Sequence, residues 1–212
     1  MDKKDYYDIE VDVEKTLSLS QSSVDDFFYV KDLKQRKLFI NDEIDSYSVF
    51  DIVKHILQYN TEDKDIDVES RQPILLYVTS CGGSVDDGFE LIDVIKSSKT
   101  PVYTINLGYQ YSMGFLIGLA GDKRFAMKNA KFLMHDGSNF IYNSGAKAQD
   151  QMEFQKKVEE RIKEYIISNS NLSLDEYNEK LRVEWYLFAD EAKSKGFVDY
   201  IIGQDCDIDI II

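Results

Sequence analysis

Apolar positions along the chain recur in two rhythms, and together they outline alternating strands and helices. Ile74-Leu75-Leu76-Tyr77-Val78 is a nearly continuous apolar run, the pattern of a strand covered on both faces in a parallel sheet. Lys37-Leu38-Phe39-Ile40 and Val102-Tyr103-Thr104-Ile105-Asn106-Leu107 read as further strands. Between them, Val49, Phe50, Val53, Ile56 and Leu57 repeat at helical spacing, and polar residues 60–72 form a connecting loop. Ser84 with Asp87 makes a capping-box-like start to a second helix, whose buried stripe is Val85, Phe89, Ile92 and Ile95 and which Pro101 closes off.

Past Gly108, the segment Tyr109-Gln110-Tyr111-Ser112-Met113-Gly114 leads into the apolar and small residues Phe115 to Ala120, a short buried helix. Ser112 is thereby expected at a strand-to-helix turn. Arg124 to Met127 and Lys131 to His135 are short strands with a turn at Asn129. From Ala146 to Ser168, Met152, Val158, Ile162, Tyr165 and Ile166 fit one stripe of a long, otherwise charged helix, and a last helix, Ala189 to Lys195, stops at Gly196. This alternation predicts an α/β domain with a largely parallel sheet. Residues 1–30 show no sustained period and read as a flexible N-terminal arm; residues 31–203 are the domain, and 204–212 a tail that pairs as an edge strand or docks on a neighbour.

A chain of 212 residues, 43% of them hydrophobic, suffices for one such domain with a sizeable core. Its formal net charge of -14 repels phosphate backbones, so nucleic acid and anionic membranes are not expected partners. No stretch approaches the roughly 18 apolar residues of a membrane span, and the start lacks an apolar signal region, so a cytoplasmic location is expected. Cys81 and Cys206 stand far apart and His55 and His135 match no zinc spacing, so neither a disulfide framework nor a metal site is expected.

Candidate chemistry gathers around Ser112. A serine hydroxyl needs a base to become a nucleophile, and a helix N-terminus behind it favours the negative charge that develops in acyl transfer. Of two histidines, His55 lies inside an amphipathic helix whereas His135 ends an apolar strand beside Gly137, which makes His135 the better base. Each residue alone has a bland reading, a helix cap and a satisfied surface group. Gly82-Gly83 after a buried strand is at the least a tight turn; with no side chain, Gly83 can also offer its N–H to a substrate carbonyl oxygen, and with the Met113 N–H would complete a two-donor oxyanion hole.

These pieces occur together and in order, and in that the sequence resembles the proteolytic subunit of Clp proteases from about Lys34 to Gly203. Ser80-Cys81-Gly82-Gly83-Ser84 is similar to the family's Ser-Pro-Gly-Gly turn, and Gly108 to Gly114 to its Gly-Gln-Ala-Ala-Ser-Met-Gly nucleophile motif. Lys123-Arg124-Phe125-Ala126 and Met134-His135 resemble the strand leading to the catalytic histidine; Ala189-Asp190-Glu191-Ala192 with Gly196-Phe197-Val198-Asp199 resembles the Ser-Ala-Glu-Glu-Ala and Gly-Leu-Ile-Asp blocks.

The resemblance implies a Clp/crotonase-like spiral of strand and helix units with the Ala146–Ser168 helix as a protruding handle. It implies a serine endopeptidase with Ser112 as nucleophile, His135 as base and the Gly83 and Met113 amides as oxyanion hole. Counting back without gaps from Ala189, the position of the family's aspartate falls on Glu184, a carboxylate one methylene longer. Asp136 is the rival carboxylate, and strand alternation is expected to turn it away from Ser112. The implied partners are identical subunits forming a barrel, unfolded polypeptide substrates and a Clp-type AAA+ unfoldase; no cofactor is implied. The chain departs from the family at Cys81 (proline there), at Tyr109 and Tyr111, at Asp136-Gly137 (Gln-Pro there) and at Val183, where the family has an arginine that couples ring contacts to the site. Those departures keep a second reading open, a catalytically impaired assembly or regulatory subunit. A crotonase-type acyl-CoA enzyme, with the same fold but acidic catalysts, is a third.

Overall fold

The computed structural model describes residues 24–137 and 144–212. The chain divides into two compact units, Met1–Lys37 and Leu38–Ile212. In the first, Val24–Lys34 forms a helix, α1, with Asp25 and Asp26 in its first turn and Lys31 and Lys34 in its last, charges that complement the helix dipole. The expected arm thus lies outside the described residues up to position 23, and its last seven residues, 24–30, are helical. No hydrophobic period announces α1.

The second unit is α/β, with a five-stranded sheet and a mixed three-stranded one. The first sheet runs in the order β1-β2-β3-β5-β8, from strands Lys37–Ile40, Ile74–Val78, Val102–Asn106, Lys123–Met127 and Tyr200–Ile202. β2, β3, β5 and β8 pair in parallel, with Ile74 opposite Val102, Tyr103 opposite Lys123 and Phe125 opposite Tyr200. All five residues of β2 are buried, as its unbroken apolar run requires. Leu75 and Tyr77 project to one face, where they pack with Ile105, Phe125, Ile202 and Ile211; Ile74 and Leu76 project to the other.

Helices α2 (Ser46–Glu62) and α3 (Val85–Ser97) pack on each other, and α3 also packs on the short helix α4 (Met113–Gly118). The buried stripe of α2 is Val49, Ile52, Val53, Ile56 and Tyr59. Phe50 and Leu57, expected on that stripe, are exposed: seven residues apart, they share a neighbouring face of the helix. Ser84 caps α3 by accepting from Asp87 N–H, as the sequence suggested, and Asp45 caps α2 by accepting from Ser48 N–H.

The second sheet, β4-β6-β7, joins Tyr109–Tyr111, Lys131–Met134 and Trp185–Phe188. β4 and β6 are parallel, β6 and β7 antiparallel. Between β6 and β7 lie helix α5 (Gly145–Ser168) and helix α6 (Leu174–Lys180); α7 (Ala189–Ser194) follows β7. The tail forms a 3-10 turn, Ile208–Ile211, rather than the edge strand that its alternation suggested. Gly203 turns the chain back at φ +82°, the Asp205 carboxylate accepts from Ile201 N–H at 2.7 Å, and Tyr77 donates its hydroxyl hydrogen to the Ile211 carbonyl. Ile211 is buried on the chain's own sheet as a result. No helix among the described residues is long and apolar enough to cross a membrane.

Candidate active site

The site forms where the parallel strands β4 and β6 end. Tyr111 pairs with Leu133, and one residue further Ser112 N–H donates to the Leu133 carbonyl at 3.0 Å. Ser112 is then forced into a sharp turn, φ +54° and ψ -121°, before Met113 opens α4. A left-handed φ is costly for a residue with a Cβ and persists only where neighbouring structure fixes it. Here the fixed strand behind and the buried helix ahead do so: all six residues of α4 are buried. Ser112 is thus a strained residue at a strand-to-helix turn, the arrangement that exposes a nucleophile in the Gly-x-Ser-x-Gly elbow.

Gly82 and Gly83 close the other side. A Cβ on Gly82 would lie 2.6 Å from Ser112 Cβ and 3.1 Å from Ser112 Oγ, so the serine side chain rests directly on the glycine. At Gly83 a Cβ would meet the Ile44 carbonyl oxygen at 2.2 Å. Ile44 straddles this residue, donating to Gly82 O at 2.8 Å and accepting from Ser84 N at 2.7 Å. The Gly83 N–H is left without an acceptor among the described residues, and the Met113 N–H, first in its helix, has no intrahelical one.

Ser112 and His135 line the same cavity, of about 580 Å³. Met113, Phe115, Leu116 and Met134 give it an apolar floor; Lys156, Glu160 and Lys163 of α5 and Arg182 beyond α6 make its opposite wall charged. The His135 Nε2 is buried and has no hydrogen-bond partner among the described residues, so it is not bonded to Ser112 Oγ. Tyr177 of α6 is buried in the same wall, and burial, reinforced by Glu160, Glu159 and Asp136, pushes its phenol up to about 12. Tyr165 of α5 donates to the Leu116 carbonyl at 3.0 Å, tying the long helix to α4, and burial pushes its phenol well above the ordinary range.

The carboxylates fall differently from expectation. Asp136 lines the cavity instead of facing away. Strand β6 ends at Met134, so the alternation of faces that would turn Asp136 outward no longer applies to it. Glu184 is exposed, is not among the cavity's lining residues, and accepts a hydrogen bond from the Tyr186 hydroxyl at 3.2 Å. Its backbone position is nonetheless telling. β6 and β7 pair Leu133 with Tyr186 and, last in the ladder, Met134 with Trp185; His135 follows the one and Glu184 precedes the other. Val183 is exposed, and Cys81 is an exposed free thiol beside Gly82.

The sequence reading missed Gly82 as the surface on which Ser112 rests, and it missed α6. Ser173 followed by Glu176 was the available signal for α6: Ser173 caps the helix by accepting from Glu176 N–H at 3.2 Å.

The sequence model of the Clp protease family matches residues 20–205. This chain belongs to the Clp protease family. Among its relatives is the ATP-dependent Clp protease proteolytic subunit 2 of Treponema pallidum, 28% identical over 183 residues, which are 85% of this chain and 89% of the relative. Another is the ATP-dependent Clp protease proteolytic subunit 1 of Streptomyces avermitilis, 32% identical over 192 residues, 88% of this chain and 84% of the relative.

Proposed function

We propose that this chain is a serine endopeptidase that cleaves unfolded polypeptide through an acyl-enzyme on Ser112. The observation that carries the proposal is the strained Ser112 sharing one cavity with a histidine whose buried Nε2 has no hydrogen-bond partner among the described residues. His135 Nε2 takes the Ser112 proton as Oγ attacks the scissile carbonyl carbon, and the oxyanion is received by the Gly83 and Met113 N–H groups. Collapse of the tetrahedral intermediate breaks the C–N bond, His135 delivers the proton to the leaving amine, and water then hydrolyses the ester by the same route in reverse. Glu184 is the third member, reaching His135 across the β6–β7 register to hold its Nδ1 proton. A bound substrate would bring Oγ and Nε2 into hydrogen-bond reach, since such contacts are often long in free enzymes.

The subunits assemble into a barrel. In α5, 24 residues long, Ile166 is the one buried residue, and Met152 and Phe154 are more than half exposed; such a helix leaves an apolar surface for other copies to cover. It serves as the handle of a spiral Clp/crotonase-like domain, and residues 31–203 constitute that domain between an N-terminal arm and a C-terminal tail. An AAA+ unfoldase supplies polypeptide, as the ATP-dependence in the relatives' names suggests. No cofactor takes part in bond cleavage.

The second reading, an impaired assembly subunit, is favoured by one observation: Glu184 is bonded to Tyr186 rather than to His135. Fluorophosphonate labelling and hydrolysis of a short fluorogenic peptide separate the two. Wild type is expected to label on Ser112 and turn over, and Ser112→Ala to lose at least about a thousandfold in turnover while keeping its oligomeric size. Turnover within tenfold of wild type in Ser112→Ala overturns the proposal; absence of labelling in wild type gives the second reading.

A further inference from the structure

We propose that Tyr186 is a positioning residue that competes with His135 for the Glu184 carboxylate, holding it on the exposed face of β7 and so setting how strongly the histidine is supported. The inference rests on the reading of Ser112 and His135 as the catalytic pair.

Three observations place Tyr186 in this role. First, Glu184 immediately precedes β7, Tyr186 is the second residue of that strand, and the phenol donates to Glu184 Oε2 at 3.2 Å. Second, the β6–β7 ladder closes on Met134 and Trp185, and His135 and Glu184 are the residues next to that pair on either side, which makes the His135 Nδ1 the second donor we assign to this carboxylate beside the Tyr186 hydroxyl. Third, the Tyr186 ring is steered by its neighbours. It meets Tyr111 edge-on with centroids 5.7 Å apart, and Tyr111 in turn lies 5.1 Å from Tyr109. Tyr111, the middle ring of this row, is the residue that precedes Ser112. The hydroxyl of Tyr186 is a donor at neutral pH, because its hydrogen bond to Glu184 raises the phenol above its ordinary value.

The consequence is a divided carboxylate. While Glu184 is held by Tyr186 it cannot fix the tautomer of His135 or stabilise the imidazolium that forms when Ser112 is deprotonated. Release from Tyr186 would raise the affinity of His135 for its proton, since a nearby carboxylate favours the charged imidazole. Other charges face His135 as well: Lys156, Glu159, Glu160 and Lys163 from α5, with Tyr177 and Arg182 around α6. Asp136 adjoins it on its own chain segment. None of these changes when the Tyr186 hydroxyl is removed, so a difference between wild type and variant isolates Glu184.

The test is Tyr186→Phe, which keeps the ring against Tyr111 and deletes only the hydroxyl, assayed on the full chain with a fluorogenic peptide across the pH range. The expected result is a kcat higher by about threefold, the scale of one hydrogen bond, with KM unchanged. The acid limb of the kcat/KM profile should also move to higher pH, and Tyr186→Phe combined with Glu184→Gln should lose both effects. An unmoved profile, or a lower kcat in Tyr186→Phe, overturns the competition; a lower kcat would make Tyr186 a support for Glu184 instead. If Ser112→Ala is inactive and Tyr186→Phe is silent, only this inference fails. If Ser112→Ala still turns over, the reading beneath it fails too.

Discussion

The two sheets of this molecule use the same strand geometry for opposite ends. The five-stranded sheet is apolar on both faces: β2 is wholly buried, and its two sets of side chains pack to the two sides, one of them covered in part by Ile211 from the tail. The three-stranded sheet buries one face, through Gln110, Phe132, Met134 and Leu187, and leaves Tyr109, Lys131, Tyr186 and Phe188 on the other. Among the described residues, strain and unpartnered polar atoms are found at the second sheet and not at the centre of the first: Ser112 at φ +54°, and His135 with a buried Nε2 that has no partner there. The difference teaches where each kind of constraint acts. Burial supports the first sheet, and that support lets the second hold a conformation that burial alone would not choose.

The division is testable, most strongly at Phe125. Its ring is buried in the core of the first sheet and stacks on Tyr200 with centroids 5.2 Å apart. Phe125→Ala should destabilise the chain by about 3–5 kcal/mol, the range for truncating a buried aromatic. Denaturant unfolding measures it. Peptide hydrolysis per folded molecule should stay within about twofold of wild type, since the residue touches nothing in the cavity. A turnover that falls tenfold at temperatures where the variant is still folded would break the comparison, because the core would then be shaping the site directly.

Gly82 probes the second region. Gly82→Ala puts a methyl 2.6 Å from Ser112 Cβ in a backbone held at φ +105°. Either the serine or the turn must shift, at a stability cost of about 1–3 kcal/mol. A displacement near 1 Å at a reacting group costs on the order of a hundredfold in turnover. Gly203→Ala is the control: its φ is +82°, but nothing lies within 4 Å of the added methyl, so it should show the backbone strain without the loss of turnover. Equal losses in both variants would mean that the glycine conformation matters and its contact with Ser112 does not.

How much of this was legible in the sequence follows the same line. Where burial on a regular element decides, residues announce themselves: β1 and β2 have the bounds their apolar runs suggest, and Ser84 caps α3. Phe50 and Leu57 mislead because an exposed aromatic and an exposed leucine count as apolar in any periodicity, whatever face they occupy. α1 has apolar residues enough, Val24, Phe27, Phe28, Tyr29, Val30 and Leu33, but they do not recur on one face at helical spacing, and α6 carries too few and is set by its cap instead. At the site, Ser112 and His135 were legible from motif order, and the structure brings both into one cavity. The outward turn expected for Asp136 failed because β6 ends at Met134, two residues short of it, and the residue pattern does not show where the strand stops. The bond from Tyr186 to Glu184 depends on strand register and ring orientation, and neither is written in residue type.

The smallest effect lies in the cavity wall and depends on pH. The side chains that fill the core cluster of the first sheet are mostly hydrocarbon, whereas the wall facing Ser112 contains the buried phenol of Tyr177. Burial raises that phenol from 10.0 to about 12, with Glu160, Glu159 and Asp136 adding to the shift. The folded chain therefore holds the proton more tightly than the unfolded chain does. By linkage, the stability this confers is fully present below pH 10, the unfolded value, and is lost as pH rises through about 12, because there the unfolded state has already released its proton. Tyr177→Phe has no proton to lose, so its thermal midpoint should fall less steeply than that of wild type between about pH 9.5 and 11. Tyr165, raised by the same cause, keeps a share of the alkaline sensitivity in the variant, and only the difference between the two curves belongs to Tyr177. Parallel curves for the two proteins would show that the phenol reaches solvent, and would open the cavity wall that the comparison treats as closed.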